Sequence, residues 1–97
     1  MKALFVSYNQ AISDRVMVVL ERHGGRGYTK WALTEGRGSH FGEPHLGTHA
    51  WPAINSSVLM IVEDNRIEPL LDALRKIDKE AEQQGLRAFV WDIVDAM

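Results

Sequence analysis

The sequence predicts an α+β fold, a four-stranded antiparallel sheet with two helices on one face. Three observations predict it. Four short runs are rich in strand-forming residues. Two longer segments space their apolar residues as helices do. Their order along the chain is βαββαβ, with short connections before each helix.

The first strand is "ALFVSY" (3–8), an apolar run that starts almost at Met1. "NQAISDRVMVVLERHGG" follows, with Ile12, Val16, Val19, Leu20 and His23 at helical spacing. Asn9 or Ser13 is placed to cap its start, and Gly24–Gly25 supplies a stop. "GYTKWALTE" (27–35) is the second strand and "SVLMIVED" (57–64) the third, the latter apolar on both faces over Val58–Val62. The second helix is the clearest element. Ile67, Leu70, Leu71, Leu74, Ile77 and Ala81 form one apolar stripe. Asp72, Arg75, Lys76, Lys79, Glu80 and Glu82 make the opposite face polar. Asn65 and Glu68 have the spacing of a capping box, and Gly85 is expected to end the helix. Pro69 falls in or next to the first turn, where a missing N–H costs least. "LRAFVWDIV" (86–94) is the last strand. Two such split units make the ferredoxin-like fold.

Ninety-seven residues make one domain, spanning 1–97, with a modest core. A net charge of −2 gives no electrostatic reason to expect nucleic acid. Cysteine is absent, which excludes disulfides and thiolate metal sites and fits the cytoplasm. "MKALFVSYNQ" has too short an apolar run for a signal peptide or a membrane span, so no membrane insertion is expected.

Helices on one face leave the other face of the sheet to be explained. If they cover Ala3, Phe5 and Ser7, then Leu4, Val6 and Tyr8 point away, and the third and fourth strands pose the same choice. Either way a sizeable apolar patch stays open, and such patches mark interfaces. The expectation is an oligomer whose subunits bury their sheets against one another. Trp31 and Trp91 belong to that interface or to the core.

Between the second and third strands lies a loop, 36–55, far longer than a hairpin needs. Its opening "GRGSHFGEPHLGTHAWP" concentrates glycine and histidine. Two chemistries suggest themselves. Gly36 and Gly38 allow a turn whose N–H groups approach an anion, with Arg37 as a planar donor and Arg87 as a second positive charge. Alternatively, His40, His45 and His49, with Glu43 between them, offer imidazole to zinc or copper, although their spacing is not that of a zinc finger. His23 reads as a charge partner for a helix C-terminus. Trp51-Pro52 reads as an anchor for the base of the loop.

With this topology and the stretch "TEGRGSHFGEPHLGTHAWPAINSSVLMIVED", the chain resembles the nitrogen regulatory P-II family. In that family a Gly-Arg turn leaves the second strand, a long T-loop follows, and a short apolar strand ending in an acidic residue resumes. Gly36, Arg37 and Gly38 sit where the turn begins, and Val58–Asp64 sit where that strand ends. The resemblance implies a homotrimer, effector sites between subunits, adenine nucleotide as an effector, and a loop that reports to a membrane transporter or an enzyme. The chain departs from the family at "QQGLRAFV". There Gly85 is the sole glycine and Arg87 replaces the usual phosphate-contacting lysine. The loop lacks the tyrosine that some members carry modified, and no basic extension follows the last strand. The resemblance is therefore to divergent, PII-like proteins, some of which regulate transport of metals or bicarbonate.

A regulator without chemistry of its own is the first reading, and a metal-binding or metal-tolerance protein of the same fold is the alternative. An enzyme is the third. Acylphosphatases share the fold but need a Gly-rich, Arg-containing loop after the first strand, where this chain reads "SYNQAISDR". No Ser/His/Asp or paired-carboxylate arrangement stands out.

Overall fold

The computed structural model describes residues 1–24, 27–36, 44, 46, 54–81 and 84–97. Its elements are β1 (Lys2–Asn9), α1 (Ser13–Gly24), β2 (Tyr28–Thr34), β3 (Asn55–Val62), α2 (Ile67–Glu80) and β4 (Arg87–Asp92). Every neighbouring pair in the sheet is antiparallel and the strand order is β2-β3-β1-β4. This is the ferredoxin-like arrangement that the element order predicts.

β1 lies inside the sheet, and its register decides which side chains the helices cover. Leu4 pairs with Met60 on one side and Val90 on the other, and Val6 pairs with Val58 and Ala88. Opposed residues share a face. Leu4, Val6 and Tyr8, fully buried, join Val58, Met60 and Val62 in one core with Val16 and Leu20 of α1 and Leu70, Leu74 and Ile77 of α2. The alternative, with Ala3, Phe5 and Ser7 inward, would bury Ser7 and expose the bulk of Tyr8. Register by single residues swaps the faces outright, so the choice is all-or-none.

Both helices are entered through a 3-10 turn. At Gln10–Ile12 the Asn9 side chain accepts from the Ala11 N–H, so Asn9 is the cap. At Asp64–Arg66 the expectation fails. Asn65 sits inside the turn, Arg66 precedes α2 with near-helical dihedrals, and no side chain caps either start. A capping box needs an extended N-cap residue, and the turn removes it. Pro69 is the third residue of α2, where its missing N–H leaves no bond unmade. Gly85 does not end α2 either. The helix stops at Glu80, and Gly85, with φ 65°, turns the chain into β4. The third strand begins at Asn55 and ends at Val62, two residues earlier at each end than the apolar run suggests. Gly24 closes α1 against the sheet: a Cβ there would stand 2.2 Å from Met60 Cε. Across the top of the helices Arg15 of α1 pairs with Glu80 of α2, both half-exposed, a contact of small energetic worth.

Tyr8 is the one fully buried side chain in β1 with a polar end, and its hydroxyl lies 3.3 Å from Ser13 Oγ. Burial raises its pKa above the ordinary value of 10.0, the hydroxyl of Ser13 opposing the effect. A raised pKa means that the folded state holds the proton longer than the unfolded one. The associated stability is complete below the unfolded value and is lost as pH rises through the folded one. Urea unfolding at pH 8 and pH 11 should therefore show a smaller alkaline loss of stability in Tyr8→Phe than in the parent. Leu20→Ala, at a fully buried position, should cost about 2–5 kcal/mol. Val18→Ala, on the exposed side of the same helix, should stay within about 0.5 kcal/mol by the same measurement.

Candidate functional site

The face of the sheet opposite the helices is apolar at one end and polar at the other. Phe5, Leu59 and Ile61 are partly buried there, and Trp31, Phe89 and Trp91 stand 46%, 58% and 49% exposed. Ala3 is covered, flanked in register by Ile61 and Trp91. The expected open apolar face is thus present, formed by the odd-numbered residues of β1 and their partners.

The polar end lies where the loop leaves and rejoins the sheet. Ser7 of β1 is opposite Ser57 of β3 on one side and Arg87 of β4 on the other. Ser57 Oγ donates to Ser7 Oγ at 3.4 Å and shares a 3.1 Å hydrogen bond with Thr34 Oγ1. Asn55 Nδ2 donates to the same Ser7 hydroxyl at 3.4 Å. The pairing of β2 with β3 shifts between Trp31 and Thr34, which brings Thr34 level with Asn55. Above this row is a hollow of about 440 Å³ lined by Phe5, Ser7, Trp31, Thr34, Glu35 and Ser57. One wall is aromatic and one edge is hydroxyl-bearing, a surface suited to a flat ring with polar substituents.

Gly36 adjoins this hollow, next to Glu35. A Cβ at Gly36 would lie 2.5 Å from Asn55 Nδ2, so any side chain there must push the buried amide aside. Beyond it, Leu46 forms a bridge with Ile54, and the Gln10 N–H donates to Ile54 O at 2.8 Å, which ties the returning chain to the first βα turn. Arg87 is partly buried, with one N–H bonded to Leu86 O at 2.7 Å. A guanidinium has four more donors. Of the anticipated anion-site residues, register therefore brings Gly36 and Arg87 to the same end of the sheet, through Asn55 and Ser7. Arg37 and Gly38 lie outside the described residues, as do His40, Glu43, His45 and His49 of the metal reading and Trp51-Pro52 of the anchor. Among the described residues no group of three His, Cys, Asp or Glu is placed to hold a metal ion. His23 lies in the last turn of α1, as expected, and its carbonyl accepts from Arg66.

Ser7, Thr34, Asn55 and Ser57 were not singled out in the sequence. The signal was there: "NSS" opens an otherwise apolar strand, and Ser7 interrupts another. What was missing was the register that sets them side by side.

No family model matches the chain, and no curated protein matches it in sequence. Solved structures do. CPII from Thiomonas intermedia K12 bound to ADP and bicarbonate is similar with a TM-score of 0.74 and 26% identity, over 95% of this chain and 84% of that one. CPII bound to ADP, AMP and bicarbonate, described as a nitrogen regulatory PII-like protein, gives 0.70 and 25%, over 95% and 88%. A protein from Thermus thermophilus, described as a putative PII-like signaling protein, shares the fold at 0.64 and 20%, over 93% and 83%.

The contact between Gly36 and Asn55 has a direct test. Gly36→Ala should lower stability by about 1–3 kcal/mol, because the amide must move to admit the methyl group. On an Asn55→Ser background the same change should cost measurably less, and a double-mutant cycle by urea unfolding reads that coupling. In strand order and in overall likeness, the chain resembles divergent PII-like proteins.

Proposed function

We propose that this chain is a PII-like signalling protein that assembles as a homotrimer, binds an adenine nucleotide at the base of its long loop, and controls a partner protein through that loop. The observation that carries this reading is the likeness to CPII over 95% of the chain, since CPII is bound to ADP and bicarbonate in one matched structure and to ADP, AMP and bicarbonate in another. The hollow beside Gly36 supports it, with Trp31 and Phe5 to receive a base and hydroxyl groups to orient a ribose or phosphate. Gly36, Arg37, Gly38 and Arg87 are the residues assigned to the anionic part of the effector. The open sheet face supports the trimer: Trp31, Phe89 and Trp91 lose exposed area only when another surface covers them.

The role is regulatory, and the chain performs no reaction of its own. The partner is a membrane transporter or an enzyme, engaged by residues 36–55. No helix among the described residues is long and apolar enough to cross a membrane, so membrane contact would come through such a partner. The protein is assigned to the cytoplasm, in keeping with its lack of cysteine.

Light scattering should give a mass three times the 11.0 kDa of the chain, and Trp91→Glu should give the single-chain mass. A dimer would instead favour the dimeric α+β barrel enzymes of the same topology. Calorimetry with ADP, AMP and bicarbonate should show nucleotide binding in the parent. Arg37→Ala should weaken it at least tenfold, roughly the worth of one charge-assisted hydrogen bond, with an unchanged circular dichroism spectrum. Equal affinity in the variant would remove Arg37 from the site. No binding of any of the three would overturn the nucleotide reading.

A further inference from the structure

The helix-bearing face of the sheet holds a second cavity, on the other side of β2 from the Trp31 hollow. It measures about 450 Å³ and is bordered by Gln10, Ser13, Asp14, Lys30, Ile54 and Ser56. That size lies within the range of small-molecule sites.

Lys30 is the unusual residue here. It stands opposite Val58, on the core-facing side of β2, where the neighbouring strands carry valine and leucine. It is partly buried. Its Nζ donates to Ser13 Oγ at 3.0 Å, and Ser13 Oγ lies 3.3 Å from the hydroxyl of the fully buried Tyr8. An ammonium has three donors, and this one makes a single hydrogen bond among the described residues, to a neutral hydroxyl. Among the described residues no carboxylate lies within ion-pair distance of it; the ion pairs engage Met1, Lys2, Arg15 and Arg75 instead. Its remaining N–H donors are available to an anion in the cavity.

The rest of the lining narrows the anion. Ala11, Ala32 and Ile54 supply apolar wall, so the ligand carries some carbon. Asp14, exposed and bordering the cavity, leaves one cation facing one carboxylate, which disfavours a dianion such as phosphate. Ser56 Oγ already donates to Ala32 O at 2.6 Å, which leaves Lys30 and Ser13 as the donors for a ligand. Tyr8, its pKa raised by burial, stays neutral and completes the hydroxyl chain behind them.

We infer that this cavity binds a small organic monocarboxylate, seated with its oxygens on Lys30 Nζ and Ser13 Oγ and its carbon body against Ala32 and Ile54. The site belongs to one subunit, and it is separate from the hollow on the opposite face. Ligand binding there would act on Ile54, which pairs with Leu46 of the loop, and on Gln10, which bonds to Ile54.

The test is a titration of nitrogen-15-labelled protein with acetate, propionate and benzoate at constant ionic strength, with inorganic phosphate as the comparison. No nucleotide is present, so the result does not depend on the effector assignment above. The expected result is saturable shifts at the amides of Ala11, Ser13, Lys30 and Ser56 with at least one of the carboxylates. Lys30→Met should weaken that binding at least tenfold, and Lys30→Arg, which keeps the charge, should retain it within about threefold. Ser13→Ala should weaken it as well. The inference is overturned by an absence of saturable shifts at these amides with all three carboxylates. Undiminished binding in Lys30→Met overturns it too, as do equal shifts from phosphate.

Discussion

Much of this structure follows from the placement of β1 between β3 and β4. A strand paired on both edges has no freedom to slip by one residue without carrying its whole side-chain set to the other face. Leu4, Val6 and Tyr8 therefore lock to the helices together, and the even-numbered residues of β3 and β4 lock with them. Everything on the open face is the complement of that choice. Phe5, Leu59, Phe89 and Trp91 are there because their neighbours in sequence are not. The polar row through Ser7 is open for the same reason.

That single constraint produces two unlike surfaces. The covered face is a close-packed core, tight enough that a Cβ on Gly24 would displace the Met60 methyl group. The open face has exposed aromatic rings at one end and hydroxyl and amide groups at the end where the loop begins. An exposed apolar sheet face of this kind is a surface suited to a contact, and the described roots of the loop stand at its rim. The subunit contact and the effector site proposed above would in this way lie on adjoining surfaces, with Asn55, Ser57 and Gly36 between them.

The helix-bearing side has its own polar element at the first βα turn. Asn9 caps the turn, Ser13 opens α1, and Lys30 reaches across from β2 to that serine. The Gln10 N–H holds Ile54, the residue before β3. The loop thus meets the body of the domain at both roots, at one through the Gly36–Asn55 approach and at the other through the Gln10 hydrogen bond to Ile54. Residues on opposite faces of the sheet meet the loop at its two roots.

Periodicity was enough to give the elements, because it is a local property. The stripe Ile67–Leu70–Leu74–Ile77 can face only one way on a helix, and the order βαββαβ leaves few topologies. Gly36 was legible as a turn residue, and Arg87 as a departure from a known pattern. Local signals misled where two of them competed. Asn65 and Glu68 have cap spacing, but a 3-10 turn took the residues that a cap would use. Gly85 reads as a helix end, but the helix had already stopped at Glu80. Which face is covered was left open by the sequence itself, since "ALFVSY" and "VLMIV" are apolar on both parities. It was settled by pairings between residues about fifty positions apart, such as Ser7 with Ser57 and Val6 with Val58. The composition of a strand states how much of it can be buried. Only the packed sheet decides which half is, and with it where Ser7, Asn55 and Lys30 find themselves.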